Sequence, residues 1–239
     1  MGDYTNMSAY YDAIMTSGYY DYEAIVDSLL SHRPFQNVLE IGCGTGLILE
    51  ELAKRQPSPN MTGVDLTEAM LAIARKRLQR FPQVSLSLNN VIHFDLKQQY
   101  ELAFSYGGVW YFVIDGDKEP FMVSHLPEDA DNYKGIESLA RHVCKGGKLL
   151  LGVQGPHYDY ERVISNGMKY SQKVSPNDHG FTKHYYLADA SQTVMAQTLQ
   201  YRTYSFSDTR KLLSAYGFEY EPDVKAVNGS RRFLGFRKT

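Results

Sequence analysis

The sequence predicts an α/β fold on a doubly wound, mostly parallel sheet, and three observations predict it. A short apolar run ending at Glu40-Ile41 turns directly into Gly42-Cys43-Gly44-Thr45-Gly46, and a helical pattern begins at Leu47. A second short strand is followed by Asp65, about 20 residues after the glycines, the spacing expected of a nucleoside-binding crossover unit. Beyond it, strands and helices keep alternating, the pattern of parallel strands joined by crossover helices.

Each element follows from its residues. Tyr22–Leu30 has the spacing of an amphipathic helix, Asn37–Ile41 is the first strand and Leu47–Arg55 the helix after it. Residues 61–64 form the second strand. Thr67 reads as the N-cap of a helix over 69–80, because its hydroxyl can accept from a first-turn N–H. Val84–Leu88 alternates polar and apolar residues as a third strand, and 102–105 is a fourth. A helix over 133–144 is expected to stop at Gly146-Gly147, with Lys145 in its last turn, before a strongly apolar fifth strand at 148–153. Ser207 or Asp208 caps a last helix that runs to Tyr216 and ends at Gly217. Residues 218–224 and 231–236 finish as strands around Asn228-Gly229, a tight-hairpin signal.

One region breaks the alternation. Strand-like stretches at 168–174, 181–187 and 193–206 are separated by turn residues at 176–180 and 188–190. They read as an antiparallel hairpin insertion after strand five, with Thr182, His184 and Tyr186 on one polar and aromatic face. It would serve either as a substrate cover or as an edge through which two copies pair as a homodimer. The chain divides into an N-terminal helical lid (1–33), a core (34–154), the insertion (155–206), and a closing helix with strands (207–239) of one domain.

Composition narrows the partners. The 239 residues suffice for one large α/β domain. Net charge is −2 and no basic stripe marks a nucleic-acid footprint. Cys43 and Cys144 are the only cysteines, which gives neither a disulfide framework nor a metal-ligand pair and fits a reducing, cytoplasmic setting. The longest apolar run, 106–114, is too short to cross a bilayer, and the N-terminus is unlike a signal peptide. Met1-Gly2 lacks the Ser or Thr that myristoylation wants at position 6, where Asn6 stands.

The glycine spacing discriminates between ligands. A dinucleotide loop would want its third glycine where Leu47 stands, and a P-loop would need Lys and Ser or Thr after Gly46. With Glu40 before it, the loop resembles the cofactor loop of class I S-adenosylmethionine (SAM)-dependent methyltransferases. Tyr11-Asp12-Ala13-Ile14, Gly18 and Asp21-Tyr22 are similar to the start of that family's small-molecule branch, which includes sugar N,N-dimethyltransferases and glycine and sarcosine N-methyltransferases. The stretch 202–207 running into Ala215-Tyr216-Gly217-Phe218 is similar to the same branch.

The resemblance implies a seven-stranded sheet, SAM as cofactor, S-adenosylhomocysteine as product and a small-molecule acceptor. It implies that Glu40 meets the cofactor's ammonium end indirectly, that Gly42, Cys43, Gly44 and Gly46 form its bed, and that Asp65 and Leu66 meet the ribose. Met70 would pack on the adenine, Asn90 and Val91 would meet its edge, and Tyr11, Tyr22 and Tyr106 would complete the contacts. Two departures stand out. Asn89-Asn90 occupies a place where the family commonly has aspartate, although an amide oxygen still accepts a hydrogen bond. Residues 106–111 replace the Asn/Asp-Pro-Pro-Tyr-type motif, which disfavours nucleobase and glutamine substrates.

Methyl transfer from a sulfonium asks the protein mainly for alignment and dryness. An amine acceptor needs only to arrive unprotonated, whereas a hydroxyl needs a base within hydrogen-bond reach. His157, just past strand five, is the candidate base and Tyr11 a second catalytic candidate; His125 and His184 are further histidines on the same side of the argument. Trp110, Tyr111, Gln154, His157 and His184 are the candidate acceptor contacts. Some of the 19 tyrosines would face a cationic sulfonium or amine. The sequence therefore reads as a small-molecule methyltransferase with an amine acceptor. The alternatives are an O-methyltransferase using His157 and a catalytically inactive SAM-binding partner subunit.

Overall fold

The structure is a computed structural model, and it describes residues 4–222 and 231–239. In chain order α1 (Ser8–Met15) and α2 (Tyr22–Leu30) precede β1 (Asn37–Ile41), α3 (Leu47–Arg55), β2 (Asn60–Asp65), α4 (Glu68–Leu78) and β3 (Val84–Leu88). Then come β4 (Tyr100–Ser105), β5 (Trp110–Val113), β6 (Phe121–Ser124), α5 (Asp129–His142) and β7 (Val143–Gln154). The chain continues with β8 (Tyr160–Val163), β9 (Lys169–Asn177), β10 (Gly180–Ala188), β11 (Thr193–Ser205), α6 (Phe206–Ser214), β12 (Phe218–Glu221) and β13 (Phe233–Lys238).

The expected seven-stranded sheet is present, in the order β3-β2-β1-β4-β7-β13-β12. β3, β2, β1, β4 and β7 are parallel, and β13 enters antiparallel to β7. Central strands are buried on both faces: Val38, Leu39, Leu102, Ala103, Leu149 and Leu150 have essentially no exposed surface. Ile41 pairs with Val64, so Gly42 and Asp65 leave the sheet side by side at the carboxyl edges of β1 and β2. That register builds the site.

β7 is the junction of the molecule. Its residues 148–152 lie between β4 and β13, whereas Val153 and Gln154 pair with Phe112 and Val113 of β5. From β5 a second sheet continues as β6-β11-β10-β9-β8, and its strand pairs beyond β5 are all antiparallel. The N-terminal segment packs against this second sheet, with Met7, Ile14 and Met15 in one apolar cluster with Tyr111, Tyr185 and Tyr201.

Several expected boundaries are corrected. The antiparallel insertion after the fifth parallel strand is present as β8–β11, and it continues into β6 and β5, which precede β7 in the chain. β5 escaped sequence reading because all four of its residues are buried, so it shows no alternation. β6 and β8, four residues each, are likewise unread in the sequence. The helix expected over 133–144 is Asp129–His142, and β7 begins at once at Val143, so Gly146-Gly147 lies inside the strand region rather than ending a helix. The last helix is capped by neither Ser207 nor Asp208 but by Ser205, whose hydroxyl accepts from the Asp208 N–H at 3.0 Å. Asn228-Gly229 lies outside the described residues. No helix among the described residues is long and apolar enough to cross a membrane.

Candidate functional site

A cavity opens at the carboxyl edge of β1 and β2. Its floor is the glycine loop. Gly42 has φ +74°, and a Cβ there would come within 2.9 Å of the Gly108 Cα. Gly46, at φ +79°, is the N-cap of α3, where a Cβ would strike Leu78 at 2.8 Å. The Gly-x-Gly-x-Gly spacing thus reflects one close backbone crossing at Gly42 and one left-handed helix start at Gly46. Gly44 lines the cavity between them.

Asp65 fixes this loop. Its Oδ2 accepts from the Gly44 N–H and its Oδ1 from the Thr67 N–H, both at 2.8 Å. Burial raises its carboxyl above the ordinary range, and the N–H groups of Thr67 and Gly44 pull it back down. The Leu66 N–H and the Thr67 hydroxyl also bond this carboxylate, which lines the cavity. Leu66, Met70 and Val91 line the same cavity. Glu40 lies behind it, 2% exposed, with Oε2 unpartnered, and burial holds its pKa well above the usual carboxylate value.

The N-terminal segment forms the roof. Tyr11 lies over Gly44, and Asp12 accepts from the Thr45 hydroxyl at 2.6 Å while pairing with Arg77 of α4. Arg77 also donates to the Thr45 carbonyl at 2.9 Å and pairs with Glu50 of α3. Tyr4 stacks on His125 with ring centroids 5.9 Å apart. Tyr4, Tyr11, Gly107 and His125 line this cavity and also a second, narrower one. The second cavity is walled by tyrosines 19, 20, 111, 185 and 201, with Gln154 and Lys183. A third, wider cavity lies beyond Gln154 and is lined by Tyr106 and His157.

Some expected contacts lie elsewhere. Cys43 points into the core, its Sγ near Gly63, and Gly46 is spent on the helix start. Tyr22 lines none of the three cavities. Tyr106 sits between Tyr20 and Phe233, at ring distances of 5.2 and 5.3 Å, because the chain needs an aromatic plug under β13. Asn90 is not in the cavity wall: its Oδ1 accepts from the Ile92 N–H at 3.0 Å, and Asn89 lines the cavity instead. Trp110 has no exposed surface, and its indole N–H donates to Asn132 at 2.9 Å, so it is core rather than acceptor wall. His184 bonds Thr198 on the other face of β10 and reaches no cavity.

Tyr111 and Gln154 do line the second cavity; Tyr111 bonds His157 Nε2 at 3.0 Å, and Gln154 donates to the Tyr20 hydroxyl at 2.9 Å. Burial, and then the charge of Lys183, depress both His125 and His157 to about 3. Burial holds the phenols of Tyr11 and Tyr111 well above the ordinary range. Sequence reading missed Tyr4, Gly108 and Lys183. The signal for Lys183 was readable, since it alternates with Tyr185 and Leu187 on the buried face of β10.

Comparison with known proteins agrees with this fold. Residues 38–147 match a family model described as a methyltransferase domain. Malonyl-[acyl-carrier protein] O-methyltransferase of Bacillus cereus is 37% identical over 68 residues, 28% of this chain and 25% of that protein. The chain thus spans about a quarter of the length of the curated relatives it matches. Two solved structures match nearly end to end. A SAM-bound amino pentose methyltransferase from Micromonospora echinaspora has TM-score 0.68 and 19% identity, covering 96% of each chain. A sugar N-methyltransferase from a Streptoalloteichus species has TM-score 0.65 and 19% identity, covering 100% of this chain and 93% of that one. What these two share with the chain is the fold. It is that of class I SAM-dependent methyltransferases, as the glycine loop and Asp65 implied.

Proposed function

We propose that this chain transfers a methyl group from SAM to a small-molecule amine. The observation that carries the proposal is the pair of adjoining cavities, one on the glycine loop and Asp65, the other walled by tyrosines, sharing Tyr4, Tyr11, Gly107 and His125. Gly42, Gly44 and Asp65 line the first cavity at the strand edge where a nucleoside-bearing ligand would lie, and the Asp65 carboxylate would accept from its ribose hydroxyls. Asn89 and Val91 would take the adenine edge, and Met70 its face. Bound SAM would supply a methyl group on a sulfonium leaving group. The protein's own contribution is to align the acceptor at the shared wall and to exclude water. Segment 4–22 acts as the lid that does the latter, with Tyr4 and Tyr11 over both ligands.

The amine is favoured because the histidines are weak bases. A base depressed to about 3 stays neutral but has little driving force to deprotonate a hydroxyl. Tyr11, its phenol held protonated, serves as a contact rather than a base. An O-methyltransferase using His157 would need that ring at the shared wall, and it lines the third cavity instead.

Calorimetric titration with SAM, S-adenosylhomocysteine and NADH, followed by labelled SAM with a panel of amines and alcohols, tests the reading. Binding of the first two alone and label transfer to amines are expected; binding without any transfer would favour the inactive partner subunit. His157→Ala should leave kcat within about threefold, whereas a loss of about 100-fold or more would identify a general base.

The second sheet should carry acceptor choice. Shortening the β9–β10 turn at Asn177-Asp178-His179 is expected to change acceptor turnover while SAM affinity stays within about threefold, since distant sites act independently. Loss of SAM binding with unaltered acceptor kinetics would refute the assignment.

A further inference from the structure

We propose that the methyl acceptor carries a small anionic group, a carboxylate or phosphate, that pairs with Lys183 in the wall of the tyrosine-lined cavity. The inference rests on reading that cavity as the acceptor site. Lys183 is 2% exposed, yet it lines the cavity. Its Nζ lies over three aromatic rings, at 5.5 Å from the centroid of Tyr201, 5.7 Å from Phe181 and 5.9 Å from Tyr185.

No carboxylate answers it. The lining of this cavity contains neither Asp nor Glu, and among the described residues Lys183 has no ion pair and no hydrogen-bond acceptor. A buried ammonium without a counter-charge is costly, and ring faces compensate it only in part. Burial accordingly brings its pKa down to about 7, a value that an anion beside it would raise again. An apolar residue of the same length would fill this place on β10 without cost, which makes the lysine a feature of ligand recognition rather than packing.

The surroundings suit an anion. Tyr185 and Tyr201 share a hydroxyl hydrogen bond at 2.8 Å, and the Tyr4 hydroxyl lies 3.4 Å from that of Tyr201, so this chain of three phenols in the same cavity wall keeps one O–H free to donate to an anion. Lys183 lines the second cavity and not the first, whereas His125, Tyr4 and Tyr11 line both. An acceptor held by its anion at Lys183 therefore directs its other end, the nucleophile, to the shared wall where the methyl group arrives.

The test uses the full chain saturated with S-adenosylhomocysteine and matched probes of like shape: phenylacetate, phenyl phosphate and neutral phenylacetamide. In the wild type, at least one anion is expected to bind about tenfold or more tighter than the amide. Which anion leads tells carboxylate from phosphate. Lys183→Met should bring the anions within about twofold of the amide, and Lys183→Arg should keep the preference, with S-adenosylhomocysteine affinity unchanged in both. Equal binding of anions and amide to the wild type, or a preference that survives Lys183→Met, overturns the inference. If S-adenosylhomocysteine itself does not bind the wild type, the reading of the cofactor cavity falls first, and this inference falls with it.

Discussion

Asp65→Ala is expected to lower SAM affinity by about 2–4 kcal/mol, roughly 30- to 1,000-fold, while the protein stays folded. Two losses combine. The ribose hydroxyls lose their acceptor, and the N–H groups of Gly44 and Thr67, both now bonded to this carboxylate at 2.8 Å, are released. The second loss acts on the cofactor bed even before ligand arrives, because the Gly44 bond ties the loop to the end of β2. Each unmade bond to a charged partner costs about 1.5–3 kcal/mol, but relaxation and water recover part of it. Asp65→Asn should fall between, since one amide oxygen can satisfy only one side of the loop. Calorimetry on the three proteins decides: affinity for Asp65→Ala within about threefold of wild type would mean that the cofactor does not lie across β2.

The largest stability effect is expected away from the ligands, at Asn132 of α5. This side chain has no exposed surface and makes four hydrogen bonds. Its Oδ1 accepts from the Trp110 indole at 2.9 Å and the Ser124 hydroxyl at 2.6 Å. Its Nδ2 donates to the carbonyls of Leu126 at 2.8 Å and Glu128 at 2.9 Å. One amide thus joins β5, β6, the following loop and α5. Asn132→Leu keeps the volume but strands a buried indole N–H and several oxygens, at a cost of about 3–5 kcal/mol. For a chain of this length that lowers Tm by about 10 °C. Because His125 and Leu126 of the cavity wall hang on this network, weaker ligand binding should accompany the drop. A Tm change under about 2 °C would mean that the network contributes nothing net.

The cofactor half of the molecule was legible because its signals are local. The glycines report backbone conformations that only glycine adopts cheaply, and Asp65 follows a strand whose length its neighbours define. Gly42, Gly44, Asp65, Leu66, Met70 and Val91 all reach the cavity as expected. Asn89 and Asn90 are harder to tell apart in the sequence: Asn90 accepts from the Ile92 N–H, and Asn89 lines the cavity. The acceptor half was less legible because its contacts are between elements distant in sequence. Trp110 was drawn into the site by its chemistry, but its place is decided by Asn132, 22 residues on. His184 and Lys183 are neighbours on one strand, and the pleat sends only the lysine inward. Reading the polar face of β10 as the functional one inverted that choice.

The fork at the end of β7 bears on how such a molecule diversifies. Up to Gly152 the strand pairs within the parallel sheet, and its last two residues pair with the antiparallel one, so among the described strands the hydrogen-bonded pairing of the two sheets is confined to this short seam. A change of length or composition among β8, β9 and β10 disturbs no hydrogen bond of the parallel strands. The outer strands can then change in length without loosening the strands that carry the glycine loop and Asp65.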